Sequence, residues 1–280
     1  MNIKTKPIAS TFRTNDGYNI FYRNWKASEI PKAVIVIVHG FNSHGGYYQW
    51  AAEQFIKNNY EVYAIDLRGR GKSDGERFYA SDYNNYISDI DELVSIAKGA
   101  HPHLPFYILG HSAGGVLSCI YMLEHQDRVN GFICESFAFR IPAPDFVLAV
   151  LKGISHIVPH AHVLKLKNED FSRDAAMVDY MNNDPLIAHE VQPTKTVQQM
   201  VLADERLKKE FPLITVPLLI IHGTADKATN PDGSQEFYDH AGSADKTLKL
   251  YEGHYHDLLL DTDKEVVMHD ILEWLNKRNL

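Results

Sequence analysis

Cysteine is nearly absent from this sequence: there are two, Cys119 and Cys134, too few for a disulfide framework. One falls in an expected helix and one in an expected strand. Both read as buried thiols of a protein in a reducing cytoplasm. No run approaches the roughly 18 consecutive apolar residues of a membrane span. Residues 1–14 carry neither the apolar stretch nor the small-residue cleavage site of a secretory leader. Basic residues never cluster: 28 Lys and Arg stand against 36 Asp and Glu, a formal net charge of -8. The basic footprint that nucleic acid requires is therefore missing. Internal repeats and low-complexity linkers are also lacking.

What is present is the composition of an ordinary globular protein, with 45% hydrophobic and 23% charged residues. A chain of 280 residues fits one α/β domain carrying an insertion. Apolar, β-branched stretches at 33–38, 62–65, 106–109 and 218–221 have the style of strands buried on both faces, as in a mainly parallel sheet. Between them, apolar residues recur at helical spacing, as in Tyr86, Ile90, Leu93, Val94 and Ala97. Strands alternating with helices indicate α/β architecture. Near the N-terminus, Asn15-Asp16-Gly17 separates strand-like pieces at 10–12 and 19–23, which predicts an antiparallel hairpin.

The alternation lapses between about 140 and 211, where helix-like pieces follow one another without a convincing strand. This stretch reads as a helical cap, inserted within a single domain that spans 1–280. The rhythm then resumes with the strand at 218–221, a helix near 232–240, a strand at 247–251 and a last helix at 264–277.

The chemistry centres on Gly110-His111-Ser112-Ala113-Gly114-Gly115. A G-x-S-x-G pattern after an apolar strand and before a helix places its serine on a sharp, exposed turn. A serine hydroxyl needs a base to accept its proton as it attacks, and that base needs an orienting carboxylate. Asp226, in Gly223-Thr224-Ala225-Asp226, stands just past the strand at 218–221, where ligand-facing loops emerge in α/β sheets. It would hold the histidine's tautomer and stabilise its cation. Two histidines follow the last strand, His254 and His256, and spacing alone does not choose between them. Backbone N–H groups of Phe41 and Ala113 are placed to bind a developing oxyanion.

Other features take plainer readings. His156, His160 and His162 cluster in the cap, but no Cys or carboxylate stands at ligand spacing nearby, so surface or packing roles are expected and no metal is implied. The segment 66–73, Asp-Leu-Arg-Gly-Arg-Gly-Lys-Ser, lacks the spacing of a phosphate loop and reads as a structural turn. Phe146, Val147, Leu148, Val150, Leu151, Ile154, Ile157 and Val158 make an apolar cap segment suited to lipid, to an acyl pocket, or to packing on the body.

Taken with Asn183-Asp184-Pro185-Leu186, His39-Gly40, the segment 66–75 and Tyr251-Glu252-Gly253-His254-Tyr255-His256, these motifs resemble the monoacylglycerol lipase and lysophospholipase group of α/β-hydrolases. The likeness runs along nearly the whole chain. It implies a mainly parallel eight-stranded sheet with helices on both faces and a helical cap before the last two strands. It assigns the catalytic histidine to His256, the residue closing Tyr-Glu-Gly-x-x-His. It also implies substrate contacts for Tyr180 in the cap and for His111 beside the nucleophile. The family's oxyanion loop usually reads His-Gly-x-Gly-Glu-His-Ser-x-Arg-Tyr. Here Ser43 and Tyr47 replace the acid and the arginine, which in relatives lie near the polar headgroup or brace the loop.

The expected activity is hydrolysis of a carboxylic ester, first of all a monoacylglycerol, by Ser112, Asp226 and His256. A broader carboxylesterase that accepts aryl or synthetic esters, a peptidase of the same fold, and a binding protein that keeps the triad are the alternatives. No cofactor is implied, because side chains, backbone amides and water complete the chemistry. The expected partner is a small-molecule ester or lipid, with transient membrane contact through the cap. Acyl-chain preference, regiochemistry and oligomeric state are left open.

Overall fold

The computed structural model describes residues 5–139, 153 and 155–279. Strands β1 (Ile8–Arg13) and β2 (Asn19–Trp25) form the expected antiparallel hairpin, turning at Gly17, whose φ of +92° suits glycine. There follow β3 (Ala33–Val38), α1 (Gln49–Lys57), β4 (Tyr60–Ile65), α2 (Tyr83–Ala100), β5 (Phe106–His111), α3 (Ala113–His125) and β6 (Gly131–Glu135). Between the two halves of the sheet lie β7 (His162–Leu164), α4 (Ala175–Asn182), β8 (Gln192–Pro193) and α5 (Thr194–Glu210). The chain finishes with β9 (Leu218–Gly223), α6 (Pro231–His240), β10 (Lys246–Tyr251) and α7 (Lys264–Asn276).

The main sheet has eight strands in the order β1-β2-β4-β3-β5-β6-β9-β10. β2 runs antiparallel to β1 and β4, and the other neighbours are parallel. Strand parity sorts the core into two layers. Val34, Val36, Val38, Ile108 and Ile220 point to the side covered by α2, α3 and α6, whose Ile90, Leu117 and Phe237 join the same cluster. Ile35, Ile37, Leu109, Ile133 and Ile221 point the other way, against Phe55 of α1 and Ile271 and Trp274 of α7. Each such buried aliphatic side chain contributes about 1.5–3 kcal/mol. Helices thus cover both faces, as parallel sheets require.

One expectation fails. No strand is expected between 140 and 211, yet β7 and β8 pair there as an antiparallel ladder. It is two to three residues long and contains Pro193, which has no N–H to donate, so neither length nor alternation announces it.

Because β3, β5, β6, β9 and β10 run in one direction, their following loops emerge at one edge of the sheet. Ligand-facing groups of open α/β sheets gather at that edge.

Candidate active site

Ser112 occupies the junction between β5 and α3, with φ 56° and ψ -123°. Few side-chain-bearing residues adopt this backbone, and holding one there costs about 1–3 kcal/mol. The flanking glycines are steric requirements of the turn. A Cβ on Gly114 would lie 2.2 Å from the Val38 carbonyl oxygen, and one on Gly110 would lie 2.5 Å from the Ser118 hydroxyl. The Ser112 amide donates to the Glu135 carbonyl at 2.9 Å, which ties the turn to the end of β6.

Asp226 sits in the loop after β9 and His256 in the loop after β10, on neighbouring strands. His256 Nδ1 lies 2.7 Å from Asp226 Oδ2, and both side chains are buried. The backbone of His256 is fixed as well, its carbonyl accepting from the Ser136 hydroxyl at 2.5 Å. The other ring nitrogen, Nε2, is buried and has no hydrogen-bond partner among the described residues. That leaves it able to take a proton.

His254, the rival in the sequence, is turned elsewhere: its ring stacks on Tyr251 at 5.5 Å, and burial pushes its pKa down. Burial would raise the Asp226 pKa. His256 and His222, both hydrogen-bonded to its carboxylate, outweigh that and hold it far below the usual carboxylate range.

The loop after β3 closes over Ser112. A Cβ on Gly40 would fall 3.2 Å from the Ser112 hydroxyl oxygen, so this backbone passes directly beside it. Outside their own elements, the N–H groups of Phe41 and Ala113 have no acceptor among the described residues. Buried His39 braces the loop. It donates from Nδ1 to the Gly40 carbonyl at 2.7 Å and accepts the Leu67 N–H on Nε2 at 3.0 Å. Accepting on Nε2 needs the neutral ring, and burial pushes its pKa down to about 3.

The segment after β4 serves the same loop. Asp66 accepts the Gly45 N–H at 2.8 Å, the Lys72 N–H at 2.9 Å and the Arg23 guanidinium at 2.5 Å, which is the work of a structural turn.

His111, buried beside Ser112, has its ring centre 4.9 Å from that of His256. Its Nε2 lies 3.2 Å from Asp257 Oδ1. Burial alone would lower the His111 pKa, but Glu135 and Asp257 outweigh it and push it up to about 9. Tyr180, on α4, is 56% exposed. Its ring centre lies 5.7 Å from that of buried Tyr47, which packs 4.4 Å from His44. His44 in turn meets Asp184 at 2.9 Å.

Of the remaining sequence features, His160 is engaged by Glu76 at 2.7 Å and stacks on Tyr79 at 4.5 Å. In the apolar cap segment, Ile157 and Val158 are 81% and 43% exposed. Phe146, Val147, Leu148, Val150, Leu151 and Ile154 lie outside the described residues. Sequence reasoning missed His222, Thr229, Glu135 and Asp257. The one available signal was a histidine at the C-terminal end of the otherwise apolar strand β9, four residues before Asp226.

Residues 29–263 match the family described as serine aminopeptidase, S33. The monoglyceride lipase of Rattus norvegicus is 32% identical over 268 residues, covering 94% of this chain and 88% of the relative. The monoacylglycerol lipase of Mycolicibacterium smegmatis is 30% identical, covering 92% and 93%. The crystal structure of the Paleococcus ferrophilus monoacylglycerol lipase superposes with a TM-score of 0.82 at 28% identity, covering 91% of this chain and 98% of that one. The fold, the matched span and the full-length likeness agree: the chain belongs to the serine aminopeptidase S33 family of α/β-hydrolases and is monoacylglycerol lipase-like.

Proposed function

We propose that the protein hydrolyses monoacylglycerols through an acyl-enzyme on Ser112. The observation that carries this reading is the buried Asp226–His256 pair at 2.7 Å, at the same sheet edge as the strained Ser112 turn. The Ser112 oxygen attacks the ester carbonyl while His256 Nε2 takes its proton. Asp226 keeps the proton on Nδ1 and balances the imidazolium charge. The N–H groups of Phe41 and Ala113 receive the tetrahedral oxyanion, a role in which one donor is worth about 3–4 kcal/mol of barrier. His256 then protonates the departing glycerol oxygen, and water activated by the same ring cleaves the acyl-enzyme.

The described part of the 140–211 insertion acts as a cap over this edge, with Tyr180 and His111 contacting the substrate headgroup. Exposed Ile157 and Val158 support transient contact of the cap with lipid. No helix among the described residues is long and apolar enough to cross a membrane. The two buried cysteines suit a cytoplasmic enzyme.

The aromatic pair of Tyr47 and Tyr180 favours a second reading, a broader esterase that takes flat aryl leaving groups. One experiment separates the two. Wild type and Ser112→Ala are treated with a fluorophosphonate probe, then assayed on monoacylglycerols and p-nitrophenyl esters of graded chain length. Labelling and hydrolysis confined to the wild type, with the higher kcat/KM on monoacylglycerols, are expected. A higher kcat/KM on the aryl esters would move the assignment to the second reading, and an unlabelled, inactive wild type would end the hydrolase assignment.

A further inference from the structure

Asp226 serves two imidazoles. The oxygen that lies 2.7 Å from His256 Nδ1 also lies 2.9 Å from Nε2 of His222. His222 is the penultimate residue of β9 and is wholly buried. Its Nδ1 lies 2.7 Å from the hydroxyl of Ser234, a buried residue of α6.

The proton positions follow from what each neighbour can supply. Burial lowers the His222 pKa, so the ring is neutral and has one donor and one acceptor. The Asp226 carboxylate only accepts, which puts the proton on Nε2. Nδ1 must then accept, and the Ser234 hydroxyl donates to it. The result is a directed chain from Ser234 to His222 to Asp226.

The carboxylate has further donors. Oδ1 accepts the N–H groups of Ala228 and Thr229 at 2.8 and 3.0 Å, and Oδ2 accepts the Thr229 hydroxyl at 2.9 Å. Those three come from the loop that carries Asp226 itself. His222 anchors the same oxygen to the sheet, through a ring fixed at both nitrogens. The Thr229 hydroxyl oxygen also lies 3.3 Å from His256 Nδ1, so without His222 it can compete with the carboxylate as acceptor of the Nδ1 proton.

We infer that His222, locked by Ser234, is a positioning residue: it fixes Asp226 Oδ2 so that one immobile imidazole aims the carboxylate at the imidazole that moves protons. The inference rests on the reading of Ser112, Asp226 and His256 as the catalytic triad.

The test compares His222→Phe, His222→Gln and Ser234→Ala with wild type and with Ser112→Ala. Each is measured for kcat and KM on a p-nitrophenyl ester, for fluorophosphonate labelling rate and for thermal midpoint. His222→Phe fills the space without a donor, and kcat is expected to fall about 10- to 100-fold, the factor that a hydrogen bond to a charged group corresponds to. KM stays unchanged and labelling slows in parallel. His222→Gln, which keeps an N–H toward the carboxylate, restores most of kcat, and Ser234→Ala lowers it by a smaller factor.

A folded His222→Phe with wild-type kcat, beside an inactive Ser112→Ala, would overturn the inference and leave the triad standing. Equal losses in the Phe and Gln variants would also overturn it, since a packing role predicts no rescue. If His222→Phe does not fold, an unchanged kcat in both His222→Gln and Ser234→Ala supports nothing beyond packing and overturns it likewise. Activity persisting in Ser112→Ala would instead remove the triad reading underneath.

Discussion

The guanidinium of Arg70 lies 4.2 Å from the centre of the Phe41 ring, while its nitrogens reach Glu190 and, at 2.8 Å, Gln192. One buried cation thus joins the loop beside Ser112 to β8 and the residues just before it. Replacing it by Met keeps the bulk but strands Glu190 without its cation, a change that costs about 3–5 kcal/mol when the partner is buried. Urea unfolding of Arg70→Met should show that loss. The double variant with Glu190→Gln should recover a large part of it, and full stability in the single variant would refute the coupling.

Ser112 holds a backbone conformation that glycine adopts without penalty. Ser112→Gly is therefore expected to raise the thermal midpoint while removing hydrolysis, with a gain on the order of 1 kcal/mol. Calorimetry of the two proteins is sufficient, and a lower midpoint in the variant would argue against stored strain.

Asp226→Asn keeps the shape of the side chain but presents an N–H or a neutral oxygen to His256 and His222 together. A wrong histidine tautomer lowers kcat by about 10⁴-fold in enzymes of this chemistry. The same order is expected here with KM little changed, as read from initial rates on a soluble ester.

His111 is held charged in the folded protein, its pKa pushed up to about 9 from an ordinary value near 6.5. A raised folded pKa adds stability that is complete below the ordinary value and is lost as pH rises through the folded one. Thermal midpoints should therefore decline between about pH 6.5 and 9, and His111→Gln should flatten that decline.

His39 has the opposite sign. With its pKa pushed down to about 3, the folded state resists the proton that the unfolded chain accepts. Its contribution is present above about pH 6.5 and is lost as pH falls toward 3. Acid titration of the thermal midpoint should show a shallower slope in His39→Asn than in wild type.

These residues mark how far the sequence can be read. The strands at Ala33–Val38 and Leu218–Gly223 announce themselves because burial on both faces demands unbroken apolar runs. Ser112 does so because its turn needs glycine on either side. Asp226 follows from its place beyond a strand. The choice of His256 over His254 depends on which way two side chains two residues apart point, which the resemblance supplied and spacing did not. His222 stayed hidden because its polar ring sits in a core strand and its two partners lie 4 and 12 positions on. Glu135 and Asp257 stayed hidden for a similar reason: they approach His111 through tertiary folding, and nothing local marks them.

The order of the strands also sets a schedule for synthesis. Ser112 and the loop after β3 belong to the first half of the chain, while Asp226 and His256 arrive with β9 and β10, at one edge of the sheet. Synthesis runs from the N-terminus, and a domain generally folds as a unit. With Ser112 proposed as nucleophile and His256 as base, a growing chain carries the first long before the second, and passes through synthesis unable to cut an ester. On that reading hydrolytic competence waits for the final two strands, because Asp226 and His256 lie in the loops that follow them.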